Sequence, residues 1–357
     1  MAAYRVGFIG TGKKKPKPDL NGYFMAYQHA PGYRKLPDCH LVACADIVRE
    51  HAEAFAAEFG VPHVYTDYRE MLEQEKPDIV SICTWPHLHA RITLDCIAAG
   101  VPAIHCEKPM ALTFGECRAM LAAAEAKGTK LTFNHQRRFG APFRKARELL
   151  LSGAIGRLVR LESVCGDLYD GGCHWVDLLN YLNGETAAEW VLGQIDGREP
   201  RYAFGAPSEW QGVCHVRYRN GVTAIILTGV SCREFGAPFT LFGSEGMIEI
   251  AWDPNPGPML RYLRWGDAWK SVDCGRENLH GPGYIDRAIA DIVDCLRTGR
   301  TSELCAQNEM KAMEIVFGCY ESCRRRGRVD LPMDITDSPI VAMIESKAGV
   351  DHIAEIL

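Results

Sequence analysis

The sequence predicts an α/β fold: an N-terminal parallel sheet flanked by helices, then an α+β domain built on a large open, mostly antiparallel sheet. Up to about residue 137, short apolar runs alternate with amphipathic helical stretches, which is typical of βαβ units. Beyond that point strand-like runs follow one another across tight turns, which favours antiparallel pairing. The length of 357 residues suits roughly two domains. We place them at residues 1–137 and 138–357.

The elements of the first domain follow from hydrophobic periodicity. The stretch from Arg49 to Phe59, for example, has Ala52, Phe55 and Ala56 at helical spacing. The predicted strands are Tyr4–Ile9, His40–Ala45, Asp78–Cys83, Pro102–Cys106 and Lys130–Asn134. The predicted helices are Arg49–Phe59, Arg91–Ala99 and Phe114–Lys127.

The second domain begins with a linking helix, and strands then dominate. Asn220-Gly221 lies between two alternating runs and predicts a hairpin with a two-residue turn. The predicted helices are Phe143–Leu151, His174–Leu182, Tyr284–Arg297 and Asn308–Arg325. The predicted strands are Val159–Gly166, Trp190–Asp196, Val213–Tyr218, Val222–Gly229, Phe239–Phe242 and Met247–Trp252. We assign no element to residues 338–357.

Composition and charge exclude several classes of function. The net charge of −5 gives no general attraction to nucleic acid or anionic lipid. No apolar run approaches the roughly 18–20 residues that span a bilayer, and the N-terminal residues lack the pattern of a signal peptide. We therefore expect a cytoplasmic protein without nucleic-acid or membrane partners. The fifteen cysteines are scattered without a CxxC pair, which predicts reduced, buried thiols and no metal site.

A glycine-rich turn closes the first predicted strand. Gly10-Thr11-Gly12 fits the first two glycines of the dinucleotide fingerprint, where backbone N–H groups approach a pyrophosphate, but Lys15 occupies the third glycine position. Asp46 ends the second strand, where a carboxylate accepts bonds from the adenosine ribose and repels a 2′-phosphate. Asp46 and its neighbour Ile47 are therefore candidate ligands of NAD rather than NADP. An exposed helix cap is the alternative for Asp46.

An insertion of roughly residues 13–21, rich in lysine and proline, separates the turn from Asp46. Its cluster of Lys13, Lys14, Lys15 and Lys17 is either a solvated loop or a ligand site. In the second case one lysine neutralises the pyrophosphate, for which we choose Lys13. Another reaches an anionic substrate, for which we choose Lys14.

Two short motifs suggest acid–base chemistry. Lys108 of Glu107-Lys108-Pro109 follows a buried strand, at the end where ligands bind in parallel sheets, and burial there lowers a lysine pKa toward the range useful for proton transfer. Asp170 and His174 are spaced to share a face at the start of a helix, where the carboxylate makes the imidazole a better base. The alternatives are a surface lysine, an Asp170 helix cap and a packed histidine.

Taken in order along the chain, these motifs resemble the Gfo/Idh/MocA family, the group of glucose–fructose oxidoreductase and inositol dehydrogenase. The resemblance covers nearly the whole chain. It rests on Val6–Gly12, Cys83-Thr84-Trp85-Pro86-His87-Leu88-His89, Glu107-Lys108-Pro109, Asn134-His135-Gln136-Arg137-Arg138-Phe139, Asp170–Asp177 and Glu309–Pro332.

The resemblance implies a Rossmann domain that binds NAD and a second domain whose open sheet forms a homodimer or homotetramer. It implies that Lys108 and His174 are catalytic, with one or the other moving the hydroxyl proton, while Asp170 orients the imidazole. The implied cofactor contacts, beyond those above, are Thr84, Trp85, Pro86, His89, Glu107, Lys108 and Arg138. The implied substrate contacts include Lys108, Asp170 and His174, and we add Tyr169 and Trp175 as an aromatic wall. Trp175 either stacks on a sugar face or packs in the core.

Two enzymatic functions remain open on the motifs alone. The first is an NAD-dependent oxidoreductase that takes hydride from a secondary hydroxyl of a sugar, sugar derivative or cyclitol. The alternative is an NAD-dependent glycoside hydrolase that works by transient oxidation to a keto-sugar, elimination and hydride return, on an anionic sulfo-, carboxy- or phospho-glycoside. A non-catalytic nucleotide-binding regulator is disfavoured, because a sensor needs none of Lys108, Asp170 and His174.

Overall fold

A computed structural model describes residues 3–14, 24–197 and 201–354, with side chains up to residue 346. Its contacts divide the chain into two compact units. The first unit comprises residues up to Leu112, Glu116–Gln136 and Ile285–Glu309. The second comprises Thr113–Gly115, Arg137–Tyr284 and the chain from Met310 onward. The division at Gln136 lies next to the predicted boundary, but a late helical segment belongs with the first unit.

The first part of the chain forms a parallel sheet with helices between its strands. The strands are β1 (Tyr4–Ile9), β2 (Cys39–Ala45), β3 (His63–Tyr65), β4 (Ile79–Ile82), β5 (Ala103–Cys106) and β6 (Lys130–Phe133). The helices are α1 (Ala26–Arg34), α2 (Arg49–Phe59), α3 (Tyr68–Glu75), α4 (Pro86–Ala98) and α5 (Phe114–Lys127). The strand order is β3-β2-β1-β4-β5-β6, so the order reverses between β1 and β4.

The rest of the chain holds the remaining helices and a larger sheet. The helices are α6 (Ala141–Leu151), α7 (Gly172–Leu182), α8 (Tyr284–Thr298), α9 (Ala306–Arg325) and α10 (Pro339–Ala354). The strands up to the hairpin are β7 (Leu158–Cys165), β8 (Ala188–Asp196), β9 (Arg201–Ala203), β10 (Ala206–Ser208), β11 (Gln211–Tyr218) and β12 (Thr223–Gly229). The later strands are β13 (Phe239–Gly243), β14 (Gly246–Ile250), β15 (Leu260–Arg264), β16 (Lys270–Val272) and β17 (Val329–Asp330).

The large sheet has nine strands in the order β16-β15-β14-β13-β7-β12-β11-β8-β17. Only the β7–β12 pair among them is parallel, which confirms the predicted open, mostly antiparallel sheet. The predicted two-residue turn at Asn220-Gly221 is wrong by one residue. Tyr218 N donates to Val222 O at 2.9 Å, so the loop is Arg219–Gly221, and Gly221 supplies a φ of +88°.

The core of the first unit explains why α8 belongs to it. Phe8 of β1 packs on Phe55 of α2 with ring centroids 5.0 Å apart, and Tyr27 of α1 contacts Phe55 edge-on at 5.2 Å. Ile289 and Val293 of α8 are buried in the same cluster. A Cβ at Gly32 would lie 3.1 Å from Ile289, so α1 and α8 pack closely here. Helical periodicity predicts α8 but does not say which sheet it covers.

All fifteen cysteines are free; Cys83 and Cys323 are half-buried and the others are buried.

Within the described ranges, no helix combines the length and the apolar character needed to cross a membrane.

Candidate functional site

The residues predicted to hold a dinucleotide lie at one edge of the parallel sheet. Gly10 N donates to Ala45 O at 2.9 Å, Cys83 N to Ile9 O at 2.8 Å, and Glu107 N to Ile82 O at 2.9 Å. The segments after β1, β2, β4 and β5 therefore leave the sheet side by side. This is the point where the strand order reverses, which is where open α/β sheets bind ligands.

The glycine turn is built for close approach. Gly10 has a φ of +83° and Gly12 a φ of +64°, a region that L side chains rarely adopt. A Cβ at Gly10 would lie 2.6 Å from Thr84 Cγ2, whereas among the described residues a Cβ at Gly12 would meet only Phe24 Cα, at 3.9 Å. Thr11 between them is buried. Without side chains at Gly10 and Gly12, a group such as a pyrophosphate can approach this turn closely.

Asp46 is tied to this turn. Its Oδ2 accepts Gly12 N at 2.8 Å and Thr11 Oγ1 at 3.2 Å, while Oδ1 accepts Val48 N at 2.9 Å. Ile47 beside it is 90% exposed, which leaves an apolar side chain available to a base or ribose. These contacts fit the predicted adenosine end of the cofactor.

The lysine cluster is only partly described. Lys13 is exposed. Lys14 Nζ bonds to both carboxylate oxygens of Glu58 at 2.7 Å and lies 5.6 Å from the centre of the Tyr27 ring. Lys15 and Lys17 lie outside the described residues. The Glu58 pairing accounts for the charge of Lys14 inside the first unit, and its predicted contact with substrate stays a prediction.

The loop after β4 is held by a buried histidine. The His89 ring lies between two carbonyl oxygens, with Nδ1 2.8 Å from Pro109 O and Nε2 3.1 Å from Thr84 O. Burial lowers the pKa of His89. Pro86 opens α4 and is buried, whereas Trp85 is 53% exposed. His89 thus positions the Thr84 and Pro109 segments, and Trp85 offers an aromatic face.

Glu107 anchors the segment that carries Lys108. Its Oε1 lies 2.9 Å from His29 Nε2 and accepts Asn134 Nδ2 at 2.7 Å. Burial raises the pKa of Glu107, but the His29 and Asn134 bonds outweigh burial and lower it to about 2. Because a carboxylate only accepts, His29 Nε2 carries the hydrogen, and His29 Nδ1 faces Ser81 Oγ at 3.0 Å. The Glu107 carboxylate is thus bonded inside the first unit, and Lys108 beside it is half-buried.

In the second unit, the segment before α7 carries the other acid–base candidates. Asp167 Oδ1 accepts the N–H of Asp170 at 2.6 Å and of Gly171 at 3.1 Å. The N-cap of α7 is Gly171, and Asp167 bonds the backbone of the turn before it. Whether Asp170 acts as a helix cap or as the partner of His174 stays a prediction.

His174 lies in the first turn of α7 and is 5% exposed, and Tyr169 is buried against Phe317 with ring centroids 6.3 Å apart. Trp175 is buried too, stacked on Phe239 at 5.6 Å with 20° between the rings. This stacking supports the core alternative for Trp175. A contact between Trp175 and substrate stays a prediction.

Arg138, a predicted cofactor contact, is fully buried in the second unit. Its Nε donates to Asp177 Oδ2 at 2.8 Å, and Nη1 donates to Glu185 Oε1 at 2.5 Å. Two carboxylates thus balance its charge, which is a structural role. Contact with the cofactor stays a prediction.

The reasoning from sequence missed several residues that hold the site. His29 and Asn134 bond Glu107, and Asp167 and Glu209 bond the backbone before α7. Asn134 belongs to the Asn134–Phe139 motif, which is a local signal in the sequence. Glu209 and His29 lie far along the chain from their partners and carry no local signal.

The family follows from comparison with known proteins. The model of an oxidoreductase family with an NAD-binding Rossmann fold matches residues 4–135, and the GFO/IDH/MocA C-terminal domain matches residues 165–249. The chain belongs to the Gfo/Idh/MocA family. The first unit is therefore an NAD-binding Rossmann domain, as the glycine turn and Asp46 predict.

Several Gfo/Idh/MocA relatives are dehydrogenases. The D-apiose dehydrogenase of Paraburkholderia graminis is 24% identical, across 91% of this chain and 92% of the relative. The inositol 2-dehydrogenase of Ralstonia nicotianae is 30% identical, across 71% of this chain and 79% of the relative. A solved structure of levoglucosan dehydrogenase, in complex with NADH and levoglucosan, shares the fold with a TM-score of 0.76. It is 22% identical, across 93% of this chain and 100% of that chain. The chain is thus an NAD-dependent oxidoreductase, and the relatives favour a dehydrogenase over the glycosidase alternative.

Proposed function

We propose that this protein oxidises a secondary hydroxyl of a sugar, sugar derivative or cyclitol with NAD. The observation that carries this function is the sheet edge at which the glycine turn, Asp46 and the Glu107-Lys108 segment leave neighbouring strands. A half-buried lysine thus follows a strand of the NAD-binding sheet. The relatives named for apiose and inositol support a polyhydroxylated substrate.

This chain's own residues bind and orient the cofactor. Gly10 and Gly12 would let the pyrophosphate approach the turn, Asp46 would accept hydrogen bonds from the ribose hydroxyls, and Ile47 would pack beside them. Thr84, Trp85 and Pro86 would contact the nicotinamide. When bound, NAD supplies the hydride acceptor at nicotinamide C4.

His174, Asp170 and Lys108 together remove the proton of the substrate hydroxyl and stabilise the oxygen that it leaves. His174 accepts the hydroxyl proton, Asp170 orients the imidazole, and Lys108 donates a hydrogen bond to the alkoxide oxygen as its charge develops. The C–H hydrogen leaves as hydride with its electron pair. The products are a ketone, reduced cofactor and one proton on the histidine.

The test follows absorbance of NADH with wild-type enzyme, NAD and a panel of sugars, cyclitols and anionic glycosides, with products identified by NMR in deuterated water. Steady NADH accumulation with one substrate class is expected. Glycoside cleavage without net NADH, with deuterium beside the oxidised carbon, would instead establish the transient-oxidation hydrolase. Variants in which Lys108 or His174 is replaced must lose turnover while they still bind NADH.

We also propose a cytoplasmic homodimer or homotetramer that pairs through the open face of the large sheet. Leu192 of β8 and Val213 of β11 are large apolar side chains exposed on neighbouring strands. Burial of such side chains in a subunit interface is favourable. Light scattering after size exclusion gives the mass, and the double substitution of Leu192 and Val213 by aspartate should reduce it to that of the monomer.

A further inference from the structure

Arg137 is a buried cation with donors left over. It is 9% exposed, and its guanidinium lies 4.3 Å from the centre of the Trp175 ring. Nη2 lies 3.1 Å from His280 Nδ1. Nε and Nη1 are buried and have no hydrogen-bond partner among the described residues. Buried polar groups are nearly always bonded, so two vacant donors on one side chain need an explanation.

The neighbouring Arg138 is a buried arginine whose charge is balanced by carboxylates of the same unit. Arg138 bonds two carboxylates, those of Asp177 and Glu185. Arg137 bonds no carboxylate of the described residues, and burial lowers its pKa to about 10, only partly offset by groups that include Asp170. The guanidinium is still charged at neutral pH. A buried charge without a bonded counter-charge is costly unless a ligand supplies one.

The surroundings of Arg137 add positive potential. Burial, then the charges of Arg137 and Arg233, lower the pKa of His280 to about 4, so the imidazole is neutral and accepts from Arg137. Arg233 packs 5.2 Å from the Trp252 ring and donates to Asp253 O at 3.3 Å. Like Arg137, it has no carboxylate partner within the part of the chain that is described. Two cations near one neutral histidine favour an anion.

Arg137 also lies close to the acid–base residues of its own unit. Trp175, on which it stacks, follows His174 directly in α7. The charge of Asp170 also acts on Arg137, so Arg137 lies near the segment that carries the proposed acid–base residues.

We propose that Arg137, in the field of Arg233, binds an anionic oxygen group of the substrate, so that the enzyme acts on acidic sugars or cyclitols. This rests on the proposed function and names its substrate class. A carboxylate and a phosphate ester share the required chemistry. The predicted contact of Lys14, which pairs with Glu58, with an anionic substrate stays a separate prediction.

The test compares matched substrates in matched variants. Glucose, glucuronate, gluconate and glucose 6-phosphate are assayed by NADH formation with the wild type, Arg137→Gln and Arg147→Gln. Arg147 also stacks on a ring at 4.3 Å, that of Tyr181, and controls for lost arginine–aromatic packing. We expect the wild type to prefer an acid. Arg137→Gln should lower kcat/KM for that acid by about 10- to 100-fold, mainly through KM, and change that for glucose by less than about threefold.

Equal losses for acid and neutral sugars in Arg137→Gln, or a wild type that prefers glucose, would overturn this assignment while leaving the dehydrogenase intact. Preference between the carboxylates and the phosphate identifies which anion is recognised.

A second readout does not depend on turnover. Calorimetry with the NADH-loaded enzyme measures binding of the same acids, and melting temperatures show whether each variant folds. Binding of an acid that weakens about 10-fold or more in Arg137→Gln, but not in Arg147→Gln, supports the anion site even if no panel sugar yields NADH. Absence of NADH with every sugar would then count against the proposed function alone. Lack of binding by every acid would overturn the anion site.

Discussion

The carboxylate of Asp46 accepts the backbone N–H of Gly12 at 2.8 Å, so a hydrogen bond joins the end of β2 to the glycine turn after β1. The Thr11 hydroxyl donates to the same oxygen at 3.2 Å. These bonds fix the acid where ribose hydroxyls are recognised in Rossmann domains. A fixed negative charge there also repels a 2′-phosphate.

Asp46→Asn is therefore expected to relax the choice of cofactor. The amide keeps the size of the carboxylate and loses its charge, so kcat/KM for NAD should fall and that for NADP should rise. We expect the NAD/NADP ratio to drop by about 10-fold or more. Steady-state kinetics with both cofactors measure it. Thr11→Val serves as the control, because it removes one bond to Asp46 and keeps the charge; an unchanged ratio in Asp46→Asn would show that the acid does not select the cofactor.

Lys108→Met should remove turnover without removing cofactor. The half-buried ammonium is proposed to bond the developing alkoxide, and loss of such a group lowers kcat by about 10²- to 10⁴-fold. NADH fluorescence titration should show that the variant still binds the cofactor, because the glycine turn and Asp46 are unchanged. Lys127→Met, at the exposed end of α5, is the matched control. Equal activity of the two variants would remove Lys108 from the mechanism.

The sequence predicts best where a signal is local. Arg49–Phe59 and Phe114–Lys127 are helices at the predicted residues, because their apolar side chains recur at helical spacing. The structure adds α1, α3 and α10, which periodicity missed. Helix α1 contains Pro31 and Gly32, both poor helix formers, and is held by packing on Ile289 of α8. Such contacts between distant segments are absent from any local pattern.

The same limit applies to the site. Glycine spacing and an acid after a strand predict the cofactor contacts Gly10, Gly12 and Asp46, because these patterns are local in the sequence. The partners of Glu107 come from α1 and from the residue after β6, so only the fold brings them together. Arg137 belongs to the Asn134–Phe139 motif that resembles the family. Its two vacant donors became visible only from the packing around it.

Glu107 makes stability depend on pH at the acid end. Its pKa of about 2 in the folded protein lies below the usual value near 4.5, so the ionised carboxylate stabilises the fold above about pH 4.5. That stabilisation is lost as pH falls toward 2. The difference corresponds to roughly 3 kcal/mol in the free energy of unfolding.

Glu107→Gln should remove this dependence. We expect lower stability at pH 7 and a flatter profile between about pH 5 and 2, measured by urea unfolding at several pH values. Glu73→Gln makes the same chemical change on an exposed position of α3 and should leave the profile as in the wild type. A Glu107→Gln profile that still falls as steeply as that of the wild type would show that other carboxylates set the acid limit.

The buried carboxylate of Glu209 holds the segment before α7 in place. Glu209 is fully buried, and its carboxylate accepts Leu168 N at 2.8 Å, Thr228 Oγ1 at 2.6 Å and Tyr320 Oη at 2.6 Å. These neutral donors satisfy the charge and fix Leu168, two residues before Asp170. Glu209 is therefore a positioning residue for the acid–base segment.

Removing Glu209 or one of its donors should give graded effects. Tyr320→Phe leaves one carboxylate oxygen without its hydroxyl and should cost about 1.5–3 kcal/mol of stability. Glu209→Ala leaves three donors unbonded and should cost about 3–5 kcal/mol. Glu209→Gln keeps an acceptor for Leu168 and should restore most of the stability and kcat that Glu209→Ala loses. Urea unfolding and kcat at saturating substrate measure both, and the NADH affinity should not change. If Glu209→Gln recovers the stability but not kcat, the charge of Glu209 itself, rather than its hold on Leu168, acts on the acid–base residues.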